Sequence, residues 1–84
     1  MLDARIEKTQ AETELLKDGM LSLLRFRVNR LCSLAIEQGY LYVDERLDLD
    51  ELFRSYELLG GNSQTKSRYT HIISKYETKD RQEG

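Results

Sequence analysis

The chain has 84 residues, with 13 Lys or Arg against 15 Asp or Glu, a net charge of -2 and a mean hydropathy of -0.62. One domain is all that this length supports, and a core built from so short a chain is marginal unless another body helps to cover it. The slight negative charge excludes a protein that coats nucleic acid nonspecifically, and the single cysteine, Cys32, excludes an internal disulfide and fits a reducing cytoplasm.

There is no proline, so nothing in the composition breaks long helices. No signal peptide is expected from the polar, acidic N-terminus. No membrane span is expected either. The charge-free stretches Met20 to Leu24 and Leu31 to Ile36 are far shorter than the ~20 residues a spanning helix needs. Charge alternates by segment: residues 1–18 are net acidic, 19–43 basic, 44–63 acidic and 64–84 basic. Such segments attract one another when folded back.

Residues 1–19 predict a polar helical arm with a thin seam. Leu2, Ile6, Thr9, Thr13, Leu16, Met20 and Leu23 follow the four-three rhythm of a coiled coil over about three heptads. Two seam positions are threonine, so the arm would fray alone and gain order only by pairing or docking. Gly19 sits among good helix formers and costs roughly 1 kcal/mol against alanine there, which predicts a soft joint within one long helix.

Residues 20–77 predict a three-helix domain. In the first helix, 20–38, Met20, Leu21, Leu24, Val28, Leu31, Cys32 and Ala35 fill one broad arc at 100° per residue. Leu23 and Leu34 leave on another face and Phe26 leaves roughly opposite the arc. A helix that is apolar on several faces has to be covered on several sides. Gly39 then stops it. Tyr40 to Val43 alternates and is β-prone but short, and reads as an extended connector. Asp44 or Asp48 can cap the second helix, whose stripe is Leu49, Leu52, Phe53, Tyr56 and Leu59. The sharpest local signal is Leu59-Gly60-Gly61-Asn62-Ser63. A glycine there can take the left-handed conformation that ends one helix, and Asn62 or Ser63 can cap the next. The third helix, about 64–77, carries Tyr69, Ile72, Ile73 and Tyr76 on one face. Residues 78–84 are polar and read as a flexible tail. The predicted fold is therefore all-α: a long N-terminal helix with a coiled-coil arm, plus two short helices joined by a Gly-Gly-Asn corner.

The string Leu23-Leu24-Arg25, Arg27, Arg30, Glu37-Gln38-Gly39-Tyr40, Asp50-Glu51-Leu52-Phe53, Tyr56 and Leu59-Gly60-Gly61-Asn62 resembles the C-terminal helical domain of small holin-like or hypothetical proteins of tailed phages and prophages of Gram-positive bacteria. The resemblance spans roughly residues 14–76 and contains no catalytic residues. Those relatives commonly carry an N-terminal membrane span, which this sequence lacks. It therefore implies a phage origin and a compact helical module on a stalk, in the cytoplasm of a host cell, rather than a pore-forming role.

The candidate chemistry is thin. One histidine, His71, and one cysteine make no metal cluster without carboxylate help, and no ligand spacing is present. Cys32, on the apolar arc, reads as a small hydrophobe. Asp44, Glu45, Asp48, Asp50 and Glu51 do not match a calcium loop, which requires a glycine in its middle. Gly60 to Ser63 precedes a helix N-terminus, where an anion could dock, but lacks the lysine of a phosphate loop. No nucleophile, base and orienting group can be assembled, so an enzyme is not expected, and no cofactor is expected.

Two binding functions remain. The first is a phage-derived protein–protein interaction or oligomerisation module, acting on itself as a homo-oligomer or on a host or phage protein. Its seam would be Leu2, Ile6, Leu16, Met20 and Leu23, with Phe26 as an exposed anchor. The alternative is a helix-turn-helix-like DNA-binding regulator. In it the third helix would offer Lys66, Arg68, Lys75 and Lys79 as candidate nucleic-acid contacts. A minor virion or assembly component is a further alternative.

Overall fold

The computed structural model describes residues 2–81, and the side chains of residues 10–81. Three helices carry the chain: α1 (Leu2–Gln38), α2 (Val43–Leu58) and α3 (Ser63–Lys75). Two three-residue strands, β1 (Tyr40–Tyr42) and β2 (Glu77–Lys79), pair in parallel with Tyr40 opposite Glu77 and Tyr42 opposite Lys79. The expected layout of one long and two shorter helices stands.

The first helix runs through Gly19 without a break, as one long helix. At 1.5 Å per residue its 37 residues span about 55 Å. That accounts for most of the 62 Å long axis of a molecule only 29 and 17 Å across. The two shorter helices cover only its second half. Every described side chain from Gln10 to Met20 is exposed, and coverage begins at Leu21.

The core lies where the three helices meet. Val28, Cys32 and Ala35 come from α1, Leu41 from β1, Leu49, Phe53 and Tyr56 from α2, and Ile72 from α3. Leu34, expected on a separate face, packs partly against this cluster, whereas Met20, expected on the arc, does not. The rings of Phe53 and Tyr69 stack at 4.0 Å between α2 and α3. Beside them the Tyr69 hydroxyl donates to Asp50 at 2.6 Å. Burial first, then that bond and the carboxylate's charge, push the Tyr69 pKa up to about 12.

The helix ends follow local chemistry. Gly39 has a φ of 84° and its N–H donates to the Ala35 carbonyl, closing α1. The second helix is not capped by Asp44 or Asp48. It starts from Tyr42, whose N–H donates to the Glu45 carboxylate at 2.9 Å, and Asp44 sits in the first turn, favoured by the helix dipole. At the corner Gly60 takes a φ of 90°, and the Asn62 carboxamide accepts from the Thr65 N–H at 3.0 Å. Gly61 has a different reason to be glycine: a Cβ there would collide with the Tyr56 ring. The Asn62 N–H donates to the same tyrosine's hydroxyl.

Three expectations are corrected. The third helix ends at Lys75, not at 77, because Glu77 to Lys79 turn extended to pair with β1. Of the connector expected over Tyr40 to Val43, Tyr40–Tyr42 is half of a strand pair and Val43 opens α2, and the tail is described through Arg81, which holds Asp44; residues 82–84 lie outside the described residues. A segment too short to form a sheet on its own found a partner far away in sequence.

Gly61→Ala should destabilise the fold by about 1–3 kcal/mol, read as a lower urea midpoint with an unchanged slope, because the methyl group overpacks the corner. A second expectation concerns pH. The folded chain holds the Tyr69 proton more tightly than the unfolded one does, so its stabilising contribution is intact below about pH 10. It disappears as pH rises from there through about 12. Urea unfolding of Tyr69→Phe across that range should show a shallower alkaline loss than the parent chain.

Candidate interaction surface

The back of α1 carries exposed apolar side chains among the described residues. Val28, Cys32 and Ala35 face the core, and helical periodicity sends Leu16, Leu23 and Phe26 out on the far side with Met20 on its flank. Their exposure is 68% at Leu16, 52% at Met20, 66% at Leu23 and 63% at Phe26. Four of the six seam and anchor residues expected from the sequence therefore form one uncovered stripe. The other two, Leu2 and Ile6, have side chains outside the described residues. Leu15, also strongly exposed, borders the stripe and was not anticipated.

Flanking helices frame this stripe. On one side α2 approaches Arg27, and the two helices leave a groove lined by Arg27, Asp48, Glu51, Leu52 and Ser55. Of the basic residues of α1, Arg27 shares this groove with the acids Asp48 and Glu51 of α2. On the other side α3 is tied to α1 by Arg68, which donates to Asn29 at 3.2 Å and to Ser33 at 2.9 Å. Arg25, Asn29, Asn62, Gln64, Thr65 and Arg68 line a second groove between these helices. Its helix N-terminus is already served by the Asn62 side chain.

The four candidate nucleic-acid contacts do not form a common reading edge. Lys66 lies 3.5 Å from Glu57. Arg68 turns inward to α1, and Lys75 lies over the Tyr76 ring at 5.5 Å. Lys79 is not on the third helix at all. It sits in β2, 4.4 Å from the centre of the Tyr40 ring and 4.0 Å from Glu77. The expected stripe of Arg68, Lys75 and Lys79 fails because the helix ends before its last member.

The strand pair has its own clamp. Arg81 donates to both carboxylate oxygens of Asp44, at 2.8 and 3.0 Å, and its guanidinium lies 4.3 Å over the Tyr42 ring. The Arg81 guanidinium holds the Asp44 carboxyl below the usual carboxylate range. The Cys32 thiol is pushed up by burial, an effect that Arg68 opposes, which leaves it a packing residue. Among the described residues no group of three His, Cys, Asp or Glu could hold a metal ion, and no helix is long and apolar enough to cross a membrane. Compared with known proteins, the chain matches no family model, no curated protein and no solved structure.

The Arg81 clamp and the Arg68 tie were both missed by sequence reading. Each joins residues 35 or more apart in the chain, and no local pattern marks such a pair. Leu47 and Leu58, exposed on the outer face of α2, were also missed, because neither belongs to a stripe.

Arg81→Ala should leave the helices intact and free the end of the chain. Backbone amides of residues 77–79 should exchange with solvent faster by hydrogen exchange, and those of the core positions Val28 and Leu49 should not change.

Proposed function

We propose that this chain is a non-catalytic, phage-derived helical module that works by protein–protein association, chiefly with itself. The observation that carries the reading is the arm. An isolated helix of fewer than about 15 residues is marginal in water, and the stretch Gln10–Met20, whose described side chains are all exposed, is shorter than that. Its side chains between Gln10 and Met20 are exposed, and the helix presents Leu16, Met20 and Leu23 at heptad spacing. A second helix laid on that stripe would stabilise the arm and hide the apolar side chains in one step. A host or phage protein offering such a helix would serve as well. The resemblance of residues 14–76 to phage holin-like and hypothetical proteins supports the origin, and the absence of catalytic groups from that pattern fits a binding role.

Leu23→Glu combined with Leu16→Glu should abolish association without harming the core, since both side chains are exposed. Light scattering should give a multiple of the 9.9 kDa chain mass for the parent protein and the single-chain mass for the variant, which should also lose helical circular dichroism from the arm. A parent chain that stays a monomer at high concentration would sink the self-association reading.

A further inference from the structure

We propose that the helix covering the back of α1 is α1 of a second copy, running antiparallel, in the register that seats Phe26 of each copy on Gly19 of the other. This deepens the self-association reading above and rests on it. The direction follows from charge. Continued along α1, the four-three spacing of Leu16, Met20 and Leu23 reaches Arg27 and Arg30. In a parallel pair each arginine would face its own counterpart across the axis, and like charges opposed in a seam repel. In an antiparallel pair the seam of one copy is read in reverse by the other. Arg27 then lies against Leu16 of the second copy, and its long stem covers that leucine.

The register follows from shape. With the two-fold axis between residues 21 and 22, Met20 of each copy packs on Leu23 of the other. Gly19 and Phe26 lie two turns apart on one flank of the seam, so each copy offers one projecting ring and one gap. Phe26 is exposed, and nothing stands within 4 Å of a Cβ built on Gly19. The antiparallel match brings ring to gap twice. On the same flank Glu12 comes level with Arg30. On the opposite flank Lys17 comes within one residue of the level of Arg27, a like charge that the Asp48 and Glu51 carboxylates lining the groove between α1 and α2 offset. Sliding by one heptad spoils the fit in either direction. One slide sets Gly19 on Gly19 and Phe26 against Glu12. The other sets Met20 and Leu23 against Arg30 and Arg27 and leaves both without an apolar partner.

Two measurements test this on the full chain. Ala11→Cys carries a spin label on the outer side of the arm, while the buried Cys32 resists labelling. The proposed register offsets the two labels by about 30 Å along the axis, for a separation of about 40 Å. A separation under about 30 Å means a parallel pair and overturns the orientation while leaving self-association standing. A monomer overturns both. The second measurement is the dimer dissociation constant of Gly19→Leu. Within one copy a Cβ at 19 has nothing within 4 Å, and leucine favours the helix over glycine. Against Phe26 of a second copy it overpacks, and the dimer should weaken about tenfold or more. Gly19→Leu with Phe26→Ala should recover most of that loss. A dimer that Gly19→Leu tightens, or that Phe26→Ala does not rescue, overturns the register.

Discussion

A helix of 37 residues cannot be covered by helices of 16 and 13 residues packed against one side of its second half. Nearly every feature of this molecule follows from that mismatch of lengths. The body forms where coverage is available, from Leu21 onward. There Val28, Cys32 and Ala35, the small to medium side chains of α1, allow α2 and α3 to approach closely. N-terminal to that point the helix projects as an arm, and on its back Leu16, Met20, Leu23 and Phe26 stay exposed. Burial contributes roughly 25 cal/mol for each Å² of apolar surface, so the exposed stripe is a reservoir of binding free energy awaiting a second surface.

The body compensates for its small size with cross-links between distant segments. Arg68 joins α3 to α1, Tyr69 joins α3 to α2 through Asp50, and Arg81 joins the end of the chain to the start of α2. The first two are partly shielded from water and act beside the core. The third is exposed, so its effect is to hold the strand pair in register rather than to add much stability. Each removes freedom from a segment that a core this small would hold poorly on its own. The arrangement also engages basic groups that a nucleic-acid edge would need free. Arg68 spends its donors on α1, and Lys79 lies in the strand pair beside Tyr40.

The arm and the body differ in what holds them. The body is stabilised by contacts between helices within one copy. The arm depends on propensity alone until something lies against it, and propensity over so few residues is weak. Association would therefore be coupled to ordering of the arm, and its strength would depend on protein concentration. The basic residues placed in the seam at Arg27 and Arg30 would set the direction of pairing, much as a polar residue in a coiled coil selects register at some cost in stability.

Much of this was legible in the residues themselves. Three helices, the stop at Gly39, a stop at Gly60 or Gly61, a cap at Asn62 or Ser63 and the core stripe of α2 are all local matters of backbone preference and 3.6-residue periodicity, and the structure selects Gly60 and Asn62. So was the excess of apolar side chains on α1, because a pattern with too many faces can be counted without coordinates. Tertiary structure decided what periodicity cannot express. It placed Leu34 against the core and Met20 outside it, since coverage depends on how far α2 and α3 reach along α1. It turned Tyr40 to Tyr42 from a connector into a strand, because the partner at 77–79 arrives only after two helices have folded back. And it drew Arg68 inward and Arg81 onto Asp44, pairings between residues far apart in the chain that no local pattern announces.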